Sequence, residues 1–463
     1  LDNSKYISYV VEYQGDIEKE AGLSKDFYIT VINDKYAMIT RPFKDPITDR
    51  YSLENNPFPS VVYVGRHDFY TMQEDIGEYE PGPVDQSINP VISSNIITVQ
   101  NMNSMNLTGK GVAVGIIGTG IDYLNEEFIN ENGKSRILSI WDQTIDDDIN
   151  VAKDDERGYL PFGERYDNEK INEAIKADKD GKSPYDIVQS RDTDGNGTAM
   201  ASVIGARGKN INYRGAAPEC DFVVVKLKED KALGNLFNSK TPIYDAAHIM
   251  LGLEYLIEYS LYRNLPMVIY LPLGTSLGSH KSNGLLEGFI DRIANNTGIA
   301  VITGAGNEGD SQNHTSGIIG KTGERNDIDI YVSEKQDYLR VECWIDIPNV
   351  MSIEIISPSG ESTGRLSPFI KGYQENKFIM EGTTVLVMYH LPEALSGDEL
   401  ISIGLTNTKG GIWKVRLYGD YILDGRYDAW LFDSAMLIDG TKFVSSDNYG
   451  TITNPSTARY VIT

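Results

Sequence analysis

Cysteine is scarce in this sequence, with 2 residues in 463: Cys220 in ECDFVVVKL and Cys343 in VECWIDI. Neither has CxxC spacing and each falls in a predicted strand, which argues against a disulfide framework or a zinc site and predicts two buried free thiols. Long apolar runs are missing too, so no stretch of about 18 residues is available to span a membrane as a helix. Basic charge is in deficit. The 42 Lys and Arg residues stand against 67 Asp and Glu, a formal charge of -25 that would repel the phosphates of nucleic acid and leaves proteins, cations and small ligands as partners. The opening LDNSKYISYV has no basic region followed by an apolar core, so it predicts no signal peptide here.

What is present is a globular composition, 40% hydrophobic and 24% charged, in a chain long enough for two or three domains. The first hundred residues read as a small α+β unit: strand YISYVVEY, a short acidic helix, a hairpin FYITVINDKYAMIT turning at Asn33 and Asp34, and strand SVVYVG. A Pro-, Gly- and acid-rich linker, EYEPGPVDQSINP, follows. From Gly111 onward, apolar strands (GVAVGIIG, DFVVVKL, PMVIYL, GIAVIT) alternate with one-sided helices. Ile249, Leu253, Leu256 and Ile257 mark one such helix, and Leu286, Phe289, Ile290 and Ile293 another, which predicts a parallel sheet with helices on both faces. After about residue 321, strands DIDIYV, YLRVECWI, MSIEIIS, TTVLVMYH and IWKVRLYGD follow one another with only turns between them. A β-sandwich insertion is the expectation, so the boundaries read 1–96, 97–320, 321–428 and 429–463.

Three glycine-rich stretches sit at strand ends or helix starts in the α/β part: GIIGTGID around Gly118, DTDGNGTAMASVIG around Asn196, and VITGAGNEG around Asn307. With SRILSIWDQTI, AAPECDFVVVKLKE, the long stretch 249–280 and the late DNYGTITNPSTARYVIT, they resemble the clostridial Csp-type branch of the subtilisin-like serine proteases. The resemblance implies an α+β prodomain, a subtilisin-like core and a jelly-roll insertion. It also implies roles. In that family an aspartate orients a histidine, the histidine is the base for a serine, and a Gly-Asn-Glu turn supplies an oxyanion donor.

Here Gly118 stands at the aspartate position and Asn196 at the histidine position, while Asn307 keeps the oxyanion position and Pro272, Leu273 and Gly274 the strand that pairs with substrate. A carboxamide does not titrate near neutral pH, and loss of the histidine in subtilisin costs about 10⁶ in turnover. The chain therefore reads as no enzyme, similar to the degenerate CspA and CspC members more than to the proteolytic CspB. The resemblance implies a role in the bacterial spore, regulating germination by binding a related Csp protease, another germination protein or a small-molecule germinant. The alternative is an active endopeptidase that processes a spore cortex-lytic proenzyme, with its triad positions altered.

Substitutes for the missing groups are few. Asp122 reads as a turn residue. His67, His248, His280, His314 and His390 all lack the flanking glycines of the motif, and only His314, near Asn307, is kept as a site candidate. Ser276 in PLGTSLGSH precedes the Asn307 turn, whereas the family's nucleophile follows it, so the nucleophile position is expected after Thr463 on a complementary C-terminal piece, with or without a serine there. No cofactor or metal is expected; calcium at residues 142–150 or the AKDDE run matches no loop motif. Without self-cleavage, residues 1–96 should stay joined to the core, with residues 81–97 crossing the cleft.

Overall fold

In strand Ala113–Gly118, Ala113 and Ile117 face one hydrophobic core while Val114 and Ile116 face another, and all six residues are buried. A strand covered on both faces belongs at the centre of a parallel sheet. In the computed structural model of this chain, which describes residues 6–20, 27–42, 58–65, 68–72, 90–102, 106–145, 153–155, 158–209, 213–369, 373–438 and 440–463, it occupies that place. The sheet has seven strands, ordered Glu164–Asp167, Ile137–Asp142, Asp221–Lys226, Ala113–Gly118, Met267–Leu271, Ile299–Thr303 and Val461–Ile462. Only the edge strand Glu164–Asp167 runs antiparallel to its neighbour.

Helices Asn168–Lys179 and Asn196–Gly205 cover one face through Ile171, Ala174, Ile175 and Ala201. Helices Ala246–Arg263 and Leu285–Ala294 cover the other through Ile249, Leu253, Leu256, Phe289 and Ile290. Their ends are set locally. Asp245 accepts a hydrogen bond from the Ala247 N–H at 2.7 Å and caps the first helix, which Asn264 closes in the left-handed region at φ 48°. The fold is the subtilisin-like α/β class, with a large β-rich insertion.

The N-terminal unit is a four-stranded sheet, ordered Tyr28–Val31, Tyr36–Pro42, Tyr6–Tyr13, Val61–Gly65. It packs on the second helix pair. Val10, Tyr36 and Met38 join the same core cluster as Leu256 and Phe289, and the Tyr36 and Phe289 rings meet edge to face at 5.7 Å, a contact worth about 0.5–1.5 kcal/mol beyond its area. Polar pins surround it: Arg292 to Asp34 at 2.8 Å and the Asn33 amide to Glu254 at 3.2 Å.

The insertion is two antiparallel sheets of six and four strands facing one core that includes Ile330, Val341, Ile353, Ile403, Trp413 and Val415. Strands His314–Ile318 and Lys442–Phe443, outside the span 321–428 read from the sequence, also pair into these sheets. Cys343 lies inside strand Tyr338–Ile345 and Cys220 directly precedes strand Asp221–Lys226; both are buried free thiols, and burial pushes each up to about 12. No helix among the described residues is long and apolar enough to cross a membrane.

Candidate functional site

Gly118 ends its strand at the carboxyl edge of the sheet, and helix Asn196–Gly205 begins beside it. The two tips are locked together by backbone. The Gly197 N–H donates to Thr119 Oγ1 at 2.8 Å, and a Cβ on Gly197 would lie 2.1 Å from the Gly120 carbonyl oxygen, so only glycine permits this approach. Gly195 sits at φ 90°, which again requires glycine. Asp192 organises the turn by accepting from the Gly195 N–H (2.9 Å), the Thr198 N–H (2.8 Å) and the Thr198 hydroxyl (2.6 Å). Thr198 Oγ1 in turn accepts from the Asp122 N–H at 2.8 Å. Asp122 is an exposed turn residue whose carboxylate receives the Leu124 N–H.

Gly118 itself is different. Its φ is not positive, and a Cβ there would meet nothing within 4 Å. Neither backbone nor packing demands a glycine at that tip. Asn196 is buried, and its backbone N–H reaches the Asp194 carboxylate at 3.3 Å.

A groove opens beside this tip between two short strands, Ile243–Asp245 and Leu273–Gly274, and a segment of the chain itself fills it. Strand Asp68–Thr71 lies between them, antiparallel to both: Ile243 opposite Tyr70, Tyr244 opposite Phe69, Leu273 opposite Thr71 and Gly274 opposite Tyr70. The Met72 N–H extends the ladder to the Pro272 carbonyl at 3.1 Å. Glycines make room for the Met72 side chain, since a Cβ on Gly274 would lie 2.7 Å from its Cε and a Cβ on Gly304 would lie 2.8 Å from its Sδ. The sequence reading missed this strand and Ile243–Asp245. Of residues 81–97, placed across the cleft by that reading, 81–89 lie outside the described residues, and 90–93 and 96–101 are short helices.

Carboxyl groups lie on one side of the groove, near Tyr244. Burial raises the pKa of Asp194 and of Glu229, and each is among the charges acting on Tyr244. Asn307 is exposed, in the turn after strand Ile299–Thr303. The next residue, Glu308, is buried and ties the turn to the insertion: it accepts from the Asn313 amide (2.8 Å) and from the Ser434 hydroxyl (3.0 Å). Ser276 belongs to the same junction, with its hydroxyl on the Asn313 amide at 3.1 Å and its N–H on Asp433 at 2.6 Å. It is a buried linking residue, not a groove residue.

The described histidines lie elsewhere. His314 and His280 both stack on Trp430. His248 meets the edge of Phe162 at 5.5 Å, and His390 ends a sandwich strand; His67 falls outside the described residues. Asp142, the first residue of the acidic stretch, accepts from the Thr144 N–H and hydroxyl at 2.9 and 2.6 Å as a turn residue. Residues 146–150 lie outside the described part. Among the described residues no three His, Cys, Asp or Glu converge as a metal site. The arrangement pairs a polypeptide strand on both edges, holds one side chain over glycines and presents an exposed carboxamide nearby.

Comparison with known proteins agrees with that geometry. The model of the subtilase family (Peptidase S8) matches residues 109–371. A thermostable alkaline protease of Halalkalibacterium halodurans is 31% identical over 118 residues, 26% of this chain and 27% of that protein, so the chain matches about a quarter of that relative's length. The structure of the Clostridium perfringens CspB protease superposes with a TM-score of 0.67 at 28% identity, covering 79% of this chain and 70% of that one. These matches correct the reading of the chain as no enzyme. The matched family is one of peptidases and both relatives are proteases, whereas that reading rested on two side chains alone.

Proposed function

Because this chain belongs to the subtilase family, with a Csp-type protease as its structural relative, we propose that it grips an extended polypeptide between Ile243–Asp245 and Leu273–Gly274, and that it serves bacterial spore germination by holding a partner protein there. One observation carries the reading: Asp68–Thr71 already lies in the groove as a third strand, bonded on both sides. An extended segment that adds to two strand edges gains main-chain hydrogen bonds whatever its sequence, and side-chain pockets then select among sequences. Glycines at 274 and 304 shape one pocket for an unbranched apolar side chain. A related Csp protease or another germination protein fits these features better than a small-molecule germinant, because what the groove offers is a line of backbone donors and acceptors.

Peptide-bond hydrolysis is the second reading, favoured by the two protease relatives and by the exposed Asn307 amide. It needs a proton acceptor other than residues 118 and 196, since neither glycine nor asparagine titrates. One preparation tests both readings. In a Met72→Asp variant of the 463-residue chain the internal strand should leave the groove, and a labelled peptide RHDFYTMQE should then bind saturably, with weaker binding to the unaltered chain. Absence of binding to the variant sinks the groove reading. Peptide cleavage together with fluorophosphonate labelling of the same samples would establish the second.

A further inference from the structure

We propose that this chain carries a second ligand site, for a small molecule bearing two or more anionic groups, in a cleft at the opposite end of the sheet from the groove. The cleft measures about 1000 Å³. Its walls are the segments entering strands Ala113–Gly118 and Asp221–Lys226, the loop before strand Ile137–Asp142 and the chain leaving helix Asn196–Gly205. Residues 110–111 and 218–221 therefore mark the amino ends of two parallel strands, while Gly118 marks a carboxyl end.

Its charge runs against the rest of the molecule. In a chain of net charge -25, five of the lining residues are basic, Lys110, Arg136, Arg207, Lys209 and Arg214, and three are acidic. Some of these charges are already engaged. Lys209 pairs with Glu126. Glu219 accepts from the Thr108 hydroxyl. Burial raises the pKa of Asp221 and so disfavours its charged form, with Arg136 acting the other way. With Lys209 paired, Lys110, Arg136, Arg207 and Arg214 face three acids, Glu131, Glu219 and Asp221, so the cleft keeps a cationic balance in an otherwise acidic chain.

Arg136 is the floor. It is 6% exposed, and it donates to the carbonyls of Cys220 (2.7 Å), Glu127 (2.6 Å) and Gly205, with no carboxylate hydrogen-bonded to it among the described residues. Carbonyls take N–H groups of its two terminal nitrogens, whereas the buried Nε has no hydrogen-bond partner among the described residues, and a positive charge is left in a buried position, where an anion is held more strongly than at the surface. Arg207 and Arg214 are half-buried at the rim, neither forming an ion pair among the described residues, and Lys110 is exposed beside them. Two guanidinium forks and an ammonium around a buried cation suit carboxylate or phosphate oxygens in bidentate contact. The chain's net charge of -25 opposes anion binding in general, so binding localised at this cleft is expected.

Calorimetric titration of the 463-residue protein with citrate, and separately with inorganic pyrophosphate, against NaCl at matched ionic strength tests the proposal. One saturable site is expected for at least one probe, with affinity at least tenfold lower in Arg207→Ala and in Lys110→Glu. The second substitution lies at an exposed position, so it reports on binding even if the first disturbs folding. Failure of both probes to give heat beyond the salt control overturns the proposal, as does unchanged affinity in Lys110→Glu. The groove peptide assay reads an independent site, so each result stands without the other.

Discussion

The His280 and Trp430 rings stack face to face, with centroids 4.3 Å apart and planes 6° apart, across the junction of the core and the insertion. His280 follows the groove strand Leu273–Gly274, whereas Trp430 lies in sandwich strand Arg426–Leu431. His314 also stacks on Trp430, at 4.7 Å, and the indole N–H donates to the Gly450 carbonyl at 3.2 Å. The indole therefore joins segments far apart in sequence while almost fully buried. Trp430→Ala should destabilise the protein by about 3–5 kcal/mol through the cavity it leaves, and Trp430→Phe by clearly less. Urea denaturation of the three proteins checks this; equal midpoints for wild type and Trp430→Ala would show that the junction does not depend on the indole.

The same stack predicts a pH dependence. Burial lowers the His280 pKa below the ordinary imidazole value, with the carbonyls of Ser276 and Ile452 pulling it back up, His314 disfavouring the charge and Glu342 favouring it. The unfolded chain then takes up the proton first, so stability is retained above about pH 6.5 and declines as pH falls below it, by at most about 1.4 kcal/mol per pH unit. Denaturation midpoints at pH 7.5 and 5.5 should fall further for wild type than for His280→Gln. Identical differences in the two proteins would remove His280 as the source.

At the sheet tip, Gly118 and Gly197 should respond in opposite ways to an added side chain. Nothing lies within 4 Å of a Cβ at 118, but a Cβ at 197 collides with the Gly120 carbonyl. Gly118→Asp should melt within a degree or two of wild type, while Gly197→Ala should lose about 1–3 kcal/mol or more. Adding Asn196→His to the Gly118→Asp protein should raise the introduced imidazole's pKa by about one unit over Asn196→His alone, since a nearby carboxylate favours the charged ring. Lys226, which pairs in register with Gly118, is the competitor for that carboxylate. NMR titration decides; an unchanged imidazole pKa means that a side chain at 118 does not reach position 196.

Much of this architecture was legible because it repeats locally. Ile249, Leu253, Leu256 and Ile257 announce their helix by spacing alone, and the apolar runs of the central strands mark a sheet buried on both faces. The motif around Gly118 and Asn196 was legible because Gly120, Gly195 and Gly197 are held by positive φ or close backbone approach, although Gly118 itself is not. The groove occupant was not. Asp68–Thr71 and Ile243–Asp245 are four and three residues long, too short to display a period, and each is a strand only through a partner distant in sequence. Met72 gave no signal of its own, because its pocket is made of glycines at 274 and 304. His280 read as an ordinary packing residue because a stack on Trp430, 150 positions away, leaves no local trace.

Glu399 supplies the last test, and its sign is opposite to that of His280. It is fully buried, its carboxylate accepts the Met351 N–H at 2.8 Å, and its other oxygen has no hydrogen-bond partner among the described residues. Burial pushes its pKa up to about 8, with Asp420 adding to the shift and the Met351 amide opposing it. Glu287 is similarly pushed up by burial, to about 7. Between about pH 4.5 and 8 the unfolded chain has lost this proton while the folded chain keeps it, so rising pH removes roughly 1.4 kcal/mol of stability per unit until about pH 8. Glutamine keeps the acceptor for Met351 and never ionises. Relative to wild type, Glu399→Gln should therefore gain stability as pH rises from 5.5 to 9 while the two stay close at pH 5. Since His280 and Glu399 tilt the curve in opposite directions, the difference between each variant and wild type is diagnostic where the raw pH profile is not; a gap independent of pH would mean that Glu399 is ionised in the fold throughout.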